Sequence, residues 1–94
     1  MSVRFNLGHV VATPGTLETL LDAGITPLDL LGRHARGDWG DMSQEDLQAN
    51  DQALVEGSRI FSTYELPGGE KVWIITEADR SSTCLLLPDE YEEV

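Results

Sequence analysis

The chain has 94 residues, of which 17 are acidic and 6 basic, giving a net charge of −11, and 40% of it is hydrophobic. Such a chain supports one folded core and is too short for two, and its apolar content sets it apart from disordered sequences. The acidity excludes non-specific binding to nucleic acid or to anionic membranes, because both need Lys and Arg against phosphate.

The first residues, Val3-Arg4-Phe5-Asn6-Leu7, alternate apolar and polar and are expected to form a short strand that Gly8 breaks and Val10-Val11 extends only weakly. Thr13-Pro14 starts a helix: Thr13 caps, and Pro14 takes the first helical position, where an N–H would have no partner. Leu17, Leu20 and Leu21 follow at helical spacing, and Gly24 ends the segment. Thr26-Pro27 repeats the device, with Asp29 placed as a capping-box partner and Leu28, Leu31 and Ala35 on one face with Leu30 beside it. Arg33, His34 and Arg36 stand near the helix end, where positive charge suits its dipole. After the loop Gly37-Asp38-Trp39-Gly40-Asp41, Ser43 opens a third helix in which Leu47 and Leu54 share a face, and Gly57 stops it.

The period then changes from helical to alternating. Ile60, Ser62, Tyr64 and Leu66 alternate with Phe61, Thr63 and Glu65, and Pro67-Gly68-Gly69-Glu70 turns the chain into Lys71-Val72-Trp73-Ile74-Ile75-Thr76. A polar turn, Ala78-Asp79-Arg80-Ser81-Ser82, leads to a last strand from Thr83 to Leu87, stopped by Pro88. The acidic residues 89–94 form a tail expected to fray beyond Tyr91. The expected fold is therefore a single α+β domain: an N-terminal strand, three helices, then a three-stranded antiparallel meander with the helices packed on one of its faces. An uncovered edge strand would also allow a homodimer.

Two polar clusters are candidates for function. Residues 38–56 carry six acidic side chains and no basic one; Asp38, Trp39, Asp41, Glu45 and Asp46 there make a candidate surface for a partner with a basic face. Trp39, flanked by glycines, either plugs the core or anchors that partner. The other cluster is catalytic in type. In a metal-independent ribonuclease an Arg stabilises phosphate charge, Ser or Thr positions it, and His moves the proton; His34, Arg80, Ser82 and Thr83 could supply those groups. The alternative for this turn is that Asp79 and the serines satisfy backbone groups, and for His34 that it is a cation at a helix end. One Cys and two His without paired spacing do not make a metal site, and no cofactor is implied. Cys84 reads as a small core residue rather than a nucleophile. The absence of a basic, apolar leader or a membrane-length apolar run makes cytoplasmic residence the expectation.

The segments Arg33-His34 with Arg36-Gly37-Asp38-Trp39-Gly40, and Trp73-Ile74-Ile75-Thr76-Glu77-Ala78-Asp79-Arg80-Ser81 with Thr83, Leu86, Leu87, Pro88 and Glu90-Tyr91, carry a resemblance. Over residues 5–91 the chain resembles small bacterial proteins of plasmids and integrated elements, described as hypothetical or plasmid-related. That implies a bacterial mobile-element setting and no particular chemistry. The order of helices followed by a meander is also loosely similar to barnase-like and RelE-like ribonucleases, at the level of fold alone. Two functions are thus expected: an acidic interaction module that meets a basic protein, imitating nucleic acid through its spaced carboxylates, or a small metal-independent ribonuclease toxin.

Overall fold

The computed structural model describes residues 3–91. Strand β1 spans His9–Ala12, followed by helices α1 (Pro14–Ala23), α2 (Pro27–Ala35) and α3 (Gln44–Glu56), strands β2 (Ile60–Glu65), β3 (Lys71–Thr76) and β4 (Ser82–Leu86), and a 3-10 turn over Pro88–Glu90. The α+β class and the three helices match the expectation; β2, β3 and β4 run antiparallel in sequence order, but not as a separate three-stranded meander. The sheet differs in having four strands in the order β1-β4-β3-β2, with β1 parallel to β4. It is therefore mixed, and β1 and β2 are its two edges.

The helix starts follow from local chemistry. Thr13 accepts from the Thr16 N–H at 3.1 Å, Thr26 from the Asp29 N–H at 3.3 Å, and Ser43 from the Asp46 N–H at 3.2 Å. Each supplies an acceptor that the first helical turn otherwise lacks. The Thr13 hydroxyl in turn donates to Glu90 Oε1 at 2.7 Å, and the same carboxylate oxygen accepts from the Leu87 N–H at 2.8 Å. This fastens the turn at residues 87–90 to the start of α1. Asp89 and Glu90 consequently belong to an ordered turn rather than to a tail, and the expected fraying concerns residues 92–94, outside the described part.

Two expectations about the N-terminal half are corrected. The first strand is not at residues 3–7 but at His9–Ala12. Phe5 packs on Trp39 in one apolar cluster and Leu7 on the edge of another, so both point inward without a neighbouring strand. Alternation here reports alternate burial, not pairing. Residues 3–8 form a strap, held by the Arg4 N–H on the Ala35 carbonyl at 2.8 Å and by the Thr83 hydroxyl on the Leu7 carbonyl at 2.7 Å. Gly8, at φ +67°, lets the strap close against the backbone of Arg80 and Ser81, where a Cβ would collide. The second correction concerns α1 and α2, whose inward sides are Thr16 and Leu20, and Leu30, Leu31, His34 and Ala35. Leu17, Leu21 and Leu28 are exposed.

Alternation in the sheet sends Tyr64, Leu66, Val72, Ile74 and Leu85 towards the helices, where they form the main core with Leu20, Leu30 and Leu31. A smaller cluster of Trp39, Ala53 and Ile60, with Phe5, Met42, Leu47 and Leu54 around it, seats α3 and the loop before it.

Candidate functional site

The acidic segment begins as a structural device. The Arg33 guanidinium holds both oxygens of Asp38, at 2.7 and 3.2 Å, and keeps that carboxyl below its usual range. The Tyr64 hydroxyl donates to the Asp38 carbonyl at 2.6 Å, and Arg33 lies over the Tyr64 ring, 4.6 Å from its centroid. Burial pushes the Tyr64 phenol up to about 12. The chain then runs along the outer edge of β2. The Thr63 N–H donates to the Trp39 carbonyl at 3.1 Å, the Asp41 N–H to the Thr63 carbonyl at 2.7 Å, and the Glu65 N–H to Asp41 Oδ2 at 2.9 Å. Gly40, at φ +83°, lies so close to Thr63 and Tyr64 that any side chain there would strike them.

One position further along β2, α3 takes over. The Asn50 side chain accepts from the Phe61 N–H at 3.1 Å and donates to the Phe61 carbonyl, so its amide does what a neighbouring peptide group would do. Asn50 stands on the buried stripe of α3 next to Ala53, 5% exposed. It was not among the residues expected to matter; a polar side chain on the Leu47–Leu54 stripe was the available signal. Trp39 is 3% exposed and its indole N–H donates to Asp51 at 3.1 Å. It plugs the smaller core, which corrects its candidacy as a surface anchor: a partner cannot reach it. Of the remaining candidate partner residues, Asp38 and Asp41 are exposed but engaged, while Glu45 and Asp46 project from the first turn of α3.

The residues proposed for catalysis are brought close together, but as scaffold. His34 is fully buried, with Nδ1 against the Ser62 hydroxyl and Nε2 against Thr76 Oγ1 at 2.9 Å. Its hydrogen positions follow by elimination. Thr83 spends its one hydroxyl hydrogen on the Leu7 carbonyl, so Thr76 must donate in the 2.7 Å Thr76–Thr83 bond. Thr76 then has only an acceptor for His34, so Nε2 carries the proton and Nδ1 accepts from Ser62. The neutral ring is satisfied at both nitrogens, and burial lowers its pKa to about 4. His34 is therefore neither a general base open to substrate nor a cation at a helix end; it bolts α2 to β2 and β3, and through Thr83 to the strap.

Arg80 is equally committed. In the left-handed conformation, at φ 62°, it sends Nη1 to the carbonyls of Ser58, Glu77 and Ala78 at 2.6, 3.1 and 3.1 Å, and Nη2 to Ala53 at 3.2 Å. It ties the end of α3 to the β3–β4 turn. The Phe5 ring lies between it and His34, 5.7 Å from the guanidinium carbon and 5.2 Å from the imidazole centroid. Thr83 is buried, and Ser82, half-buried on β4, pairs in register with His9. Asp79 accepts from the Ser81 N–H at 3.0 Å, as a turn aspartate does. His34, Arg80, Ser82 and Thr83 thus share a neighbourhood without sharing an open cleft, and the catalytic assignment is corrected on that ground. Burial raises the Cys84 thiol, with Glu90 and Glu77 acting in the same direction, so it is not activated as a nucleophile.

Two of the surfaces open to solvent lie at the two sides of the sheet. At the β2 side, α3 displays Glu45, Asp46, Asp51 and Glu56, all exposed. At the β1 side, a groove of about 660 Å³ runs between the strap and β1, lined mainly by Val3, Phe5, Leu7 and Val10 with Arg80 at one end. Among the described residues, no three of His, Cys, Asp and Glu gather where they could hold a metal ion, and no helix is long and apolar enough to cross a membrane. Comparison with family models, with curated proteins and with solved structures yields no match to this chain.

Proposed function

We propose that this chain is a protein–protein interaction module, acting by binding rather than catalysis, whose acidic α3 surface meets a partner with a basic face. The observation that carries the reading is the charge layout of residues 38–56. All six of its acidic side chains are exposed and it contains no basic one. Exposed carboxylates with no cation among them create a negative potential, which attracts the kind of basic surface that also binds phosphates. An accessory protein of a bacterial mobile element could occupy the basic face of a host protein in this way. The contact set is Glu45, Asp46 and Glu56 rather than the set Asp38, Trp39, Asp41, Glu45 and Asp46 read from sequence, since Asp38, Asp41 and Asp51 serve the fold and Trp39 is buried. The ribonuclease alternative lacks a supporting observation, because its histidine is sealed and its arginine is spent on carbonyls.

The test is retention of basic proteins from a bacterial lysate, comparing the wild type with Glu45→Gln/Asp46→Asn/Glu56→Gln. These three side chains can be neutralised without touching the Arg33 pair or the β2 edge. A salt-sensitive partner held by the wild type and lost by the triple variant is the expected result. Equal capture by both proteins removes the acidic surface from the account.

A further inference from the structure

We propose that the free edge of β1 pairs, antiparallel and about a two-fold axis, with the β1 edge of a second copy of this chain, joining the two sheets into one. The inference goes beyond the acidic-surface reading and does not depend on it.

The first ground is the state of the two edges. At the β2 edge, the outward N–H groups of Phe61, Thr63 and Glu65 and the carbonyls of Phe61 and Thr63 are all bonded, to Asn50, Trp39 and Asp41. At the other edge, β1 uses the N–H groups of His9 and Thr13 on Ser81 and Leu85 of the β4 side, at 3.0 and 3.1 Å. Strand geometry then turns the N–H and C=O of Val10 and Ala12 outward. Among the described residues, none pairs with that outer edge. A short row of unpaired backbone groups is a template for another strand.

The second ground is what surrounds it. Val10 and Val11 are 40% and 43% exposed, and Val3 beside them is 64% exposed. His9-Val10-Val11-Ala12 contains neither lysine nor proline, the residues that commonly block edge pairing. Apolar side chains on both faces of an open edge can pack against the same side chains of a copy.

The third ground, charge, selects the occupant. In a chain with 17 acidic residues, residues 3–17 contain none, and the groove lining contains none either. The acidic helix sits along β2, three strand spacings or about 14 Å away across the sheet. Self-pairing through β1 therefore joins the molecules where they repel least and leaves both acidic surfaces outward. A two-fold arrangement also closes, so it makes a dimer and not a fibre.

The experiment is sedimentation of the full chain over a concentration series, at low and at high salt, with Val10→Lys/Val11→Lys as the variant. In a two-fold pairing centred on Val10 or on Val11, the double substitution sets the lysines of the two copies against each other across the axis. The wild type is expected to dimerise with rising concentration, and more tightly in high salt, because salt screens the repulsion between two bodies of charge −11. The variant should weaken the dimer about tenfold or more, with an unchanged far-ultraviolet circular dichroism spectrum. Should the variant fold poorly, amide exchange in the wild type gives the answer: Val10 and Ala12 gain protection as the concentration rises. A wild type that stays monomeric at millimolar concentration in high salt overturns the proposal, as does a dimer that the lysines leave intact.

Discussion

The two edges of this sheet are built on opposite plans. The β2 edge is closed by a side-chain amide, a backbone carbonyl and a carboxylate drawn from α3 and the loop before it, whereas among the described residues none pairs with the outer edge of β1. Much of the unusual polarity of residues 38–56 is explained by that closure. Asp38 fixes the loop through Arg33, Asp41 receives the Glu65 N–H, and Asp51 holds the Trp39 indole. An acidic cluster that looks like one feature in sequence thus divides into carboxylates that fold the protein and carboxylates, Glu45, Asp46 and Glu56, that bond to no other element and face solvent, Glu56 accepting only from Gln52 one turn back. The lesson is that local charge density overstates a binding surface when part of it is bonded to the protein's own backbone.

The comparison breaks most sharply at Trp39. Trp39→Ala empties the smaller core and removes the Asp51 bond, and should cost about 3–5 kcal/mol in urea unfolding; Trp39→Phe, which keeps the ring and loses the N–H, should cost clearly less. A surface anchor would show almost no stability change in either variant.

The buried histidine gives the next largest effect. Its folded pKa, about 4, lies below the ordinary 6.5 of an unfolded chain. As pH falls below 6.5 the unfolded state takes up a proton that the folded state refuses, so stability drops steadily until about pH 4 and is fully present above 6.5. The shift corresponds to about 3 kcal/mol over that window. Between neutral pH and pH 4, the unfolding free energy of the wild type should fall by about this amount more than that of His34→Gln. Parallel pH profiles would mean that His34 titrates normally.

Asn50→Ala tests the closed edge itself. It strands the N–H and C=O of Phe61 at a partly buried position and should cost about 2 kcal/mol. Asn50→Asp, which can accept but not donate, should recover only part of that. The smallest effect is expected at the free carboxylates: Glu45→Gln and Asp46→Asn should each shift stability by less than about 1 kcal/mol, through the helix dipole alone, while reducing retention of a basic partner. A large loss of stability there would place these two with the folding carboxylates.

The sequence exposed the helix starts and the hairpin because their determinants are local: Thr-Pro twice, Ser43 before an acidic first turn, Pro67-Gly68-Gly69 between alternating strands. The parallel pairing of β1 with β4 was not legible, because it joins residues about seventy positions apart and β1 itself is four residues long. The fates of His34 and Arg80 were hidden for a related reason. Their partners, Ser62, Thr76 and four carbonyls from 53 to 78, come from segments that only the fold brings together. Side chains rich in donors look alike in sequence whether they face a substrate or a backbone.

Amide hydrogen exchange, resolved by residue and run at several protein concentrations, tests the contrast between the edges most directly. In dilute solution the amides of Phe61, Thr63 and Glu65 should be protected while those of Val10 and Ala12 exchange freely; on concentration only the second group should slow. Fast exchange at Phe61, Thr63 and Glu65, comparable to that at Val10 and Ala12, would contradict it.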